Sequence, residues 1–149
     1  MKVLGIDIGG TNIRMGLAEN NATTQIESLK IKRDCSEAEI MADLNLLIGK
    51  FVNAKIEGIG IGVPSLVDPV KGIVYDATNI PAWKEVHLKE QLEAKWGIPV
   101  YVNNDANCFV MGEKYFGKVK DYSNIVGLII GTGLGSGLVL NNQLYDGAN

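Results

Sequence analysis

The sequence predicts an α/β fold: a mixed sheet of five strands with flanking helices, followed by the first hairpin of a second, similar domain. Three observations carry this expectation. Apolar runs of strand length alternate with stretches whose apolar residues recur at helical spacing. The chain opens on two apolar runs, residues 2–8 and 12–18, joined by the tight turn Gly9-Gly10-Thr11. The same strand, Gly/Thr turn, strand unit returns about 120 residues later, where Gly127-Leu128-Ile129-Ile130-Gly131-Thr132-Gly133 stands beside Gly5-Ile6-Asp7-Ile8-Gly9-Gly10-Thr11.

Each element follows in order. Residues 2–8 and 12–18 read as a hairpin with both strands largely buried, and a third strand over 26–32 would complete a meander. Ser36 is a candidate N-cap for a helix reaching about residue 54, with Ile40, Met41, Leu44, Leu47, Ile48 and Phe51 on one face. Residues 56–63 form a buried strand in which glycines allow close backbone approach, and Pro64-Ser65 breaks it. Residues 68–72 read as a turn and 79–83 as an irregular loop. A second helix spans 86–96 with Gly97 as its C-cap, a short strand covers 100–102, and a third helix covers 106–116. Residues 124–130 are again a strand, followed by a glycine cluster and a further apolar run to Leu140. The division expected is an N-terminal domain over 1–117 and a second domain that begins at 118 and is cut short at 149.

With 149 residues and a net charge of −3, the chain can bury a real core, and its lysines and arginines form no basic run. A nucleic-acid or membrane-surface role has no electrostatic support. The first strand begins at residue 2 with no charged leader or apolar signal segment before it, and no apolar run is long enough to span a bilayer. A cytoplasmic location is expected. Cys35 and Cys108 lie far apart without CxxC spacing, so neither a disulfide framework nor a zinc site is expected in this chain. His87, the single histidine, reads as an ordinary helix-start or surface residue.

Three constellations carry chemistry. A phosphate chain needs inward-pointing main-chain N–H groups, and Gly9, Gly10 and Thr11 offer these, with the Thr11 hydroxyl as an additional donor. The same residues also make a good hairpin turn; Asp7 tips the balance, because an unpaired carboxylate on a buried strand is costly without a role. Asp7 would hold Mg²⁺ directly or through water. The second glycine cluster is not a Rossmann fingerprint, since position 136 is Ser136 and a strand follows where a helix is required, and no Walker A loop exists in the chain. What remains is a second phosphate hairpin using Gly131, Thr132, Gly133 and the surrounding amides. The third constellation is Val102-Asn103-Asn104-Asp105-Ala106-Asn107, between a strand end and a helix start. Taken alone it reads first as an N-cap cluster; the alternative is a ligand loop in which Asp105 accepts the proton of an attacking hydroxyl that Asn104 orients.

Together, Asp7-x-Gly9-Gly10-Thr11-x-x-Arg14, residues 62–65, Asn79-Ile80-Pro81-Ala82-Trp83, Asn104-Asp105-Ala106-Asn107, Gly112-Glu113 and Gly131-Thr132-Gly133-Leu134-Gly135 resemble the ROK family, which groups repressors, open reading frames and sugar kinases. The resemblance covers the whole chain in the correct order. It implies the actin-like, ribonuclease-H-like ATPase fold, in which two α/β domains close on ATP and a sugar. Carried onto this sequence it makes Asp105 the catalytic base, gives Ser65, Asn79 and Asn104 the sugar hydroxyls, and gives Mg-ATP to Asp7, Gly9, Gly10, Thr11, Arg14, Gly131, Thr132 and Gly133. Homodimerisation, common in the family, is the assembly it leaves open.

Departures from the family pattern matter too. The Gly-His-Glu segment and the cysteine-rich motif that would supply structural Zn²⁺ do not occur in these residues, and the chain is expected to be truncated within its second half. Cys108-Phe109-Val110-Met111 replaces the small residues usual after Asn107 and reads as core packing. The leading expectation is an ATP-dependent kinase acting on a hexose or an N-acetylated hexosamine, with the 149-residue chain alone inactive. The rival is a sugar-responsive transcriptional repressor, or its sugar-binding domain without catalysis; a strand at residue 2 leaves no room for a preceding helix-turn-helix.

Overall fold

A computed structural model of the chain describes residues 1–31, 35–51, 55–77, 80–131 and 133–147. Asn79 and Thr132, and the expected element ends at residues 32 and 54, lie outside the described residues. The chain forms two compact units, residues 1–103 and 104–149, dividing at the junction of a strand and a helix.

In the first unit, β1 (Lys2–Ile8) and β2 (Asn12–Glu19) pair antiparallel with Ile8 opposite Ile13. β3 (Ala22–Lys30) completes the meander, starting at Ala22 instead of at residue 26. The turn before it is Asn20-Asn21, with φ of 51° and 62°. Two consecutive left-handed residues match the strand twist of a two-residue hairpin, and asparagine tolerates that conformation. A reading by apolar runs passes over this polar signal.

α1 (Glu37–Gly49) begins as expected. Glu39 N–H donates to Ser36 Oγ at 3.3 Å and Ser36 N–H donates to Glu39 Oε2 at 2.8 Å, a reciprocal capping box. It ends at Gly49, short of residue 54, where glycine weakens the last turn. β4 (Gly58–Val63) runs parallel to β1. β5 (Leu66–Asp68), β6 (Ile73–Tyr75) and β7 (Glu85–His87) then form a separate three-stranded antiparallel sheet. This corrects the sequence reading, which gave residues 66–87 only turns, loop and helix; strands of three residues are too short to display a period. The expected turn at 68–72 is present, with Gly72 N–H donating to Asp68 O at 2.7 Å and Gly72 at φ 66°.

α2 (Leu88–Trp96) starts after Val86, which belongs to β7, and ends at left-handed Gly97 as expected. β8 (Val100–Asn104) completes a mixed five-stranded sheet of order β3-β2-β1-β4-β8. Leu4, Ile6, Ile8, Ile13, Met15, Ile59 and Ile61 form one core with Ile40, Leu44 and Ile48 of α1 and Leu88 and Leu92 of α2. The helices are tied to each other by Trp96 Nε1 donating to Asn45 Oδ1 at 2.8 Å.

β1 and β2 are therefore buried on one face only, because successive side chains alternate between faces. Gly5, Asp7 and Arg14 are exposed on the other. That corrects the expectation of two largely buried strands, and with it the argument that Asp7 bears a desolvation cost.

The second unit is α3 (Asp105–Phe116) packed on a hairpin of β9 (Ile125–Ile130) and β10 (Leu134–Leu140), with β11 (Gln143–Leu144) added through another Asn-Asn turn, Asn141 and Asn142 at φ 52° and 66°. Ala106, Val110 and Lys114 are the buried residues of α3. Cys108 and Phe109, expected in a core, are exposed, since only Val110 of the 108–111 segment falls on the buried stripe. Val126, Leu128, Ile130 and Leu134 are exposed on the face of the hairpin away from α3.

Candidate functional site

Five of the sequence-predicted residues of the first unit, Asp7, Gly9, Gly10, Thr11 and Arg14, gather at the end of the first hairpin. Asp7 sits one residue before the end of β1, flanked by Arg14 on β2 and by Gly62 on β4. Both charged side chains are exposed on the same face of the sheet. Gly9 N–H, expected to face a phosphate, donates to Asn12 O at 2.9 Å and closes the turn. Thr11 Oγ1 accepts from Asn12 Nδ2 at 3.0 Å, and Thr11 O accepts from Ile31 N–H at 2.8 Å, which ties the turn to the segment after β3. Ser65 lies where β4 gives way to β5, and its hydroxyl donates to Tyr75 O on β6. It thus joins the small sheet to the end of β4.

In the second unit the asparagine cluster forms the cap of α3 at 104–105 and sets a carboxylate beside it. Asn104 is the N-cap of α3, its Oδ1 accepting from Ala106 N–H at 2.9 Å. Asp105 Oδ1 accepts from the same N–H at 2.8 Å. Because one carboxylate oxygen is fixed by the first turn of the helix and the residue is half-buried, Asp105 is held in one orientation at the positive end of α3.

The turn between β9 and β10 is also closed by its first glycine, but more tightly: Gly131 N–H donates to Gly133 O at 2.9 Å, two residues on, where Gly9 reaches three residues on to Asn12 O. The α3 helix rests on glycines of this hairpin. A Cβ on Gly137 would lie 2.5 Å from Ala106 O and 2.7 Å from Val110 Cγ1, and one on Gly127 would lie 3.0 Å from Val110 Cβ. The sequence reading passed over Gly127 and Gly137 as supports. The signal for Gly137 was its alternation with Gly135 along β10, which places both on one face.

Among the described residues no group of three or more histidine, cysteine, aspartate or glutamate side chains gathers. Asp7 offers an exposed carboxylate beside the Gly9-Gly10 turn. That donor suits a hard cation held chiefly by phosphate oxygens and water, which needs one or two protein carboxylates.

The profile of the ROK family matches residues 3–149. The chain belongs to the ROK family. It is 34% identical to a glucokinase of Thermotoga maritima over 99% of the chain and 47% of that protein. A ROK family glucokinase of Streptomyces griseus, solved in complex with glucose and AMPPNP, superposes with a TM-score of 0.89 at 29% identity, over 99% of this chain and 47% of that one. A ROK family transcriptional regulator, a homologue of the E. coli MLC protein, superposes with a TM-score of 0.86 at 26% identity, over 98% of this chain and 38% of that one. The chain spans about half the length of the curated relatives it matches. The fold of the ROK kinases, the actin-like ATPase fold, is thereby its fold. No helix among the described residues is long and apolar enough to cross a membrane.

Proposed function

We propose that the protein is an ATP-dependent sugar kinase of the cytoplasm, acting on a hexose or an N-acetylated hexosamine, with Asp105 as general base. The observation that carries this reading is the start of α3. There Asn104 caps the helix and a half-buried Asp105, anchored through one oxygen, keeps its second oxygen as an acceptor for the proton of a substrate hydroxyl. Asn104, Asn79 and Ser65 are proposed to hold sugar hydroxyls. Asp7, Gly9, Gly10, Thr11 and Arg14, and likewise Gly131, Thr132 and Gly133, are proposed to hold Mg-ATP.

When bound, Mg-ATP supplies the transferred phosphoryl group and the charge neutralisation that phosphoryl transfer requires. The chain's own residues orient and deprotonate. Closure of each turn by its first glycine fixes the loop shape, so Gly9 and Gly131 act through conformation and close approach. The repeat of this turn also supports assigning residues 1–117 to an N-terminal actin-like domain and 118–149 to the beginning of a second.

The test is Asp105→Asn in the protein as expressed from its own gene, in a coupled assay for ADP release across a panel of hexoses and hexosamines. Phosphorylation is expected to fall on the order of 10² to 10⁴, with sugar affinity within a few fold. Near-normal turnover would sink the base assignment. The second reading, a sugar-responsive regulator, is favoured by the match to the MLC homologue; no ADP release with any sugar, together with a sugar-dependent gel shift, would select it.

A further inference from the structure

We propose that Lys114 is a positioning residue that pins α3 in a single register on the β9–β10 hairpin and so fixes Asp105 at the start of that helix. This inference rests on the reading of Asp105 as the base. Lys114 is 9% exposed, the one polar or charged side chain buried among the described residues. Its Nζ donates to Lys120 O at 2.8 Å, Tyr122 O at 2.7 Å and Asn142 Oδ1 at 2.8 Å. Three acceptors use all three N–H groups of an ammonium. The cage itself is laced together: Asn142 N–H donates to Ser123 O at 2.8 Å, and Asn141 N–H to Asn124 Oδ1 at 2.9 Å.

The location of this cage gives it a consequence for the site. Ala106, Val110 and Lys114 form one stripe at helical spacing, and each meets a different part of the hairpin. Ala106 lies against Gly135 and Gly137 towards the turn, Val110 against Gly127 and Gly137 in the middle, and Lys114 among the loops at the open end. The first two are packing contacts with no side-chain hydrogen bond, so they hold α3 close to the hairpin with little directional preference along it. A slide of one residue, about 1.5 Å, would draw Lys114 Nζ away from its three acceptors. The polar end therefore selects the register, and the rigid helix carries that choice to Asp105 at its other end.

The experiment compares Lys114→Met, Lys114→Arg and Asn142→Leu with the unaltered protein, each checked for folding by circular dichroism, with kcat and the sugar KM read separately. Lys114→Met is expected to lower kcat about ten-fold or more with sugar KM within about two-fold, Asn142→Leu to lower kcat in the same sense, and Lys114→Arg not to restore it, since a planar fork cannot match the cage. In an Asp105→Asn background, Lys114→Met is expected to remove nothing further. A folded Lys114→Met variant with unchanged kcat would overturn the proposal, as would an equal loss in both backgrounds. Should Asp105→Asn itself retain turnover, the base assignment fails on its own, and amide exchange in α3 decides Lys114: faster exchange over residues 106–114 in Lys114→Met supports the pin, and unchanged exchange refutes it.

Discussion

Asp7 on β1 and Arg14 on β2 are cross-strand partners, exposed side by side on the sheet face opposite the α1 helix. Opposite charges in such a pair contribute only about 0.2–1 kcal/mol, and exposure to water and salt keeps the value low. Stability is thus a weak reason for an aspartate here. On the far side, Gly62 of β4 adds no side chain that would crowd it. The carboxylate is exposed on the sheet face beside a glycine turn, a placement suited to a ligand.

Asp7→Asn is accordingly expected to leave unfolding free energy within about 1 kcal/mol of the unaltered protein while raising the KM for Mg-ATP about ten-fold or more, the loss of one charged contact to a cation-bearing ligand. Sugar binding, read by fluorescence or calorimetry, is expected to stay unchanged. A large fall in stability with ATP affinity preserved would make Asp7 a structural residue and remove it from the site.

The capping box of α1 gives a prediction on the fold alone. Ser36 and Glu39 satisfy two helix-start donors reciprocally, so Ser36→Ala is expected to cost about 1 kcal/mol. Urea denaturation measures it, and Ser36→Asp, which retains an acceptor, is expected to recover most of the loss.

Features that repeat along the chain were legible in the sequence, and features that depend on short polar turns or on a neighbour were not. The first hairpin, the α1 face of Ile40, Leu44 and Ile48, the Gly97 cap and the second glycine turn all follow from local pattern. The Asn20-Asn21 and Asn141-Asn142 turns carry their signal in two polar residues that apolar counting ignores. The small sheet of β5, β6 and β7 is assembled by partners, including the Ser65 bond to Tyr75, which no period announces. At the site, residue types pointed to Asp7 and Asp105, but burial did not follow: Asp7 was read as buried because its strand is apolar, although period-two alternation places it with Gly5 and Arg14 on the open face. Lys114 was unreadable because its acceptors come from loops whose path only the folded chain defines.

Acid stability offers a separate check. Glu57 is held below the ordinary glutamate range, first by the hydrogen bond its carboxylate accepts from Lys2 N–H at 2.8 Å and then by the N-terminal ammonium 3.4 Å away. A carboxylate depressed in the folded state stabilises above its unfolded pKa, and that contribution disappears as pH falls through the folded pKa. Between about pH 6 and pH 3, Tm of the unaltered protein is therefore expected to fall more than Tm of Glu57→Gln. Parallel curves would show that this exposed contact contributes nothing.

Two glycine-to-alanine changes should act in opposite directions. At Gly137 the new Cβ would fall 2.5 Å from the Ala106 carbonyl oxygen and 2.7 Å from Val110 Cγ1, so α3 must lift from the hairpin. Overpacking of this kind costs about 1–3 kcal/mol, and because the displaced segment starts at Asp105, kcat is expected to fall with it. At Gly112, inside the same helix, an added Cβ meets nothing within 4 Å. There alanine removes backbone freedom from the unfolded chain and is expected to stabilise by about 0.5–1 kcal/mol with kcat unaffected. Denaturation and turnover measured on both variants separate helix docking from helix formation: equal effects at the two positions would mean that the close packing of α3 on Gly137 does not govern the second unit.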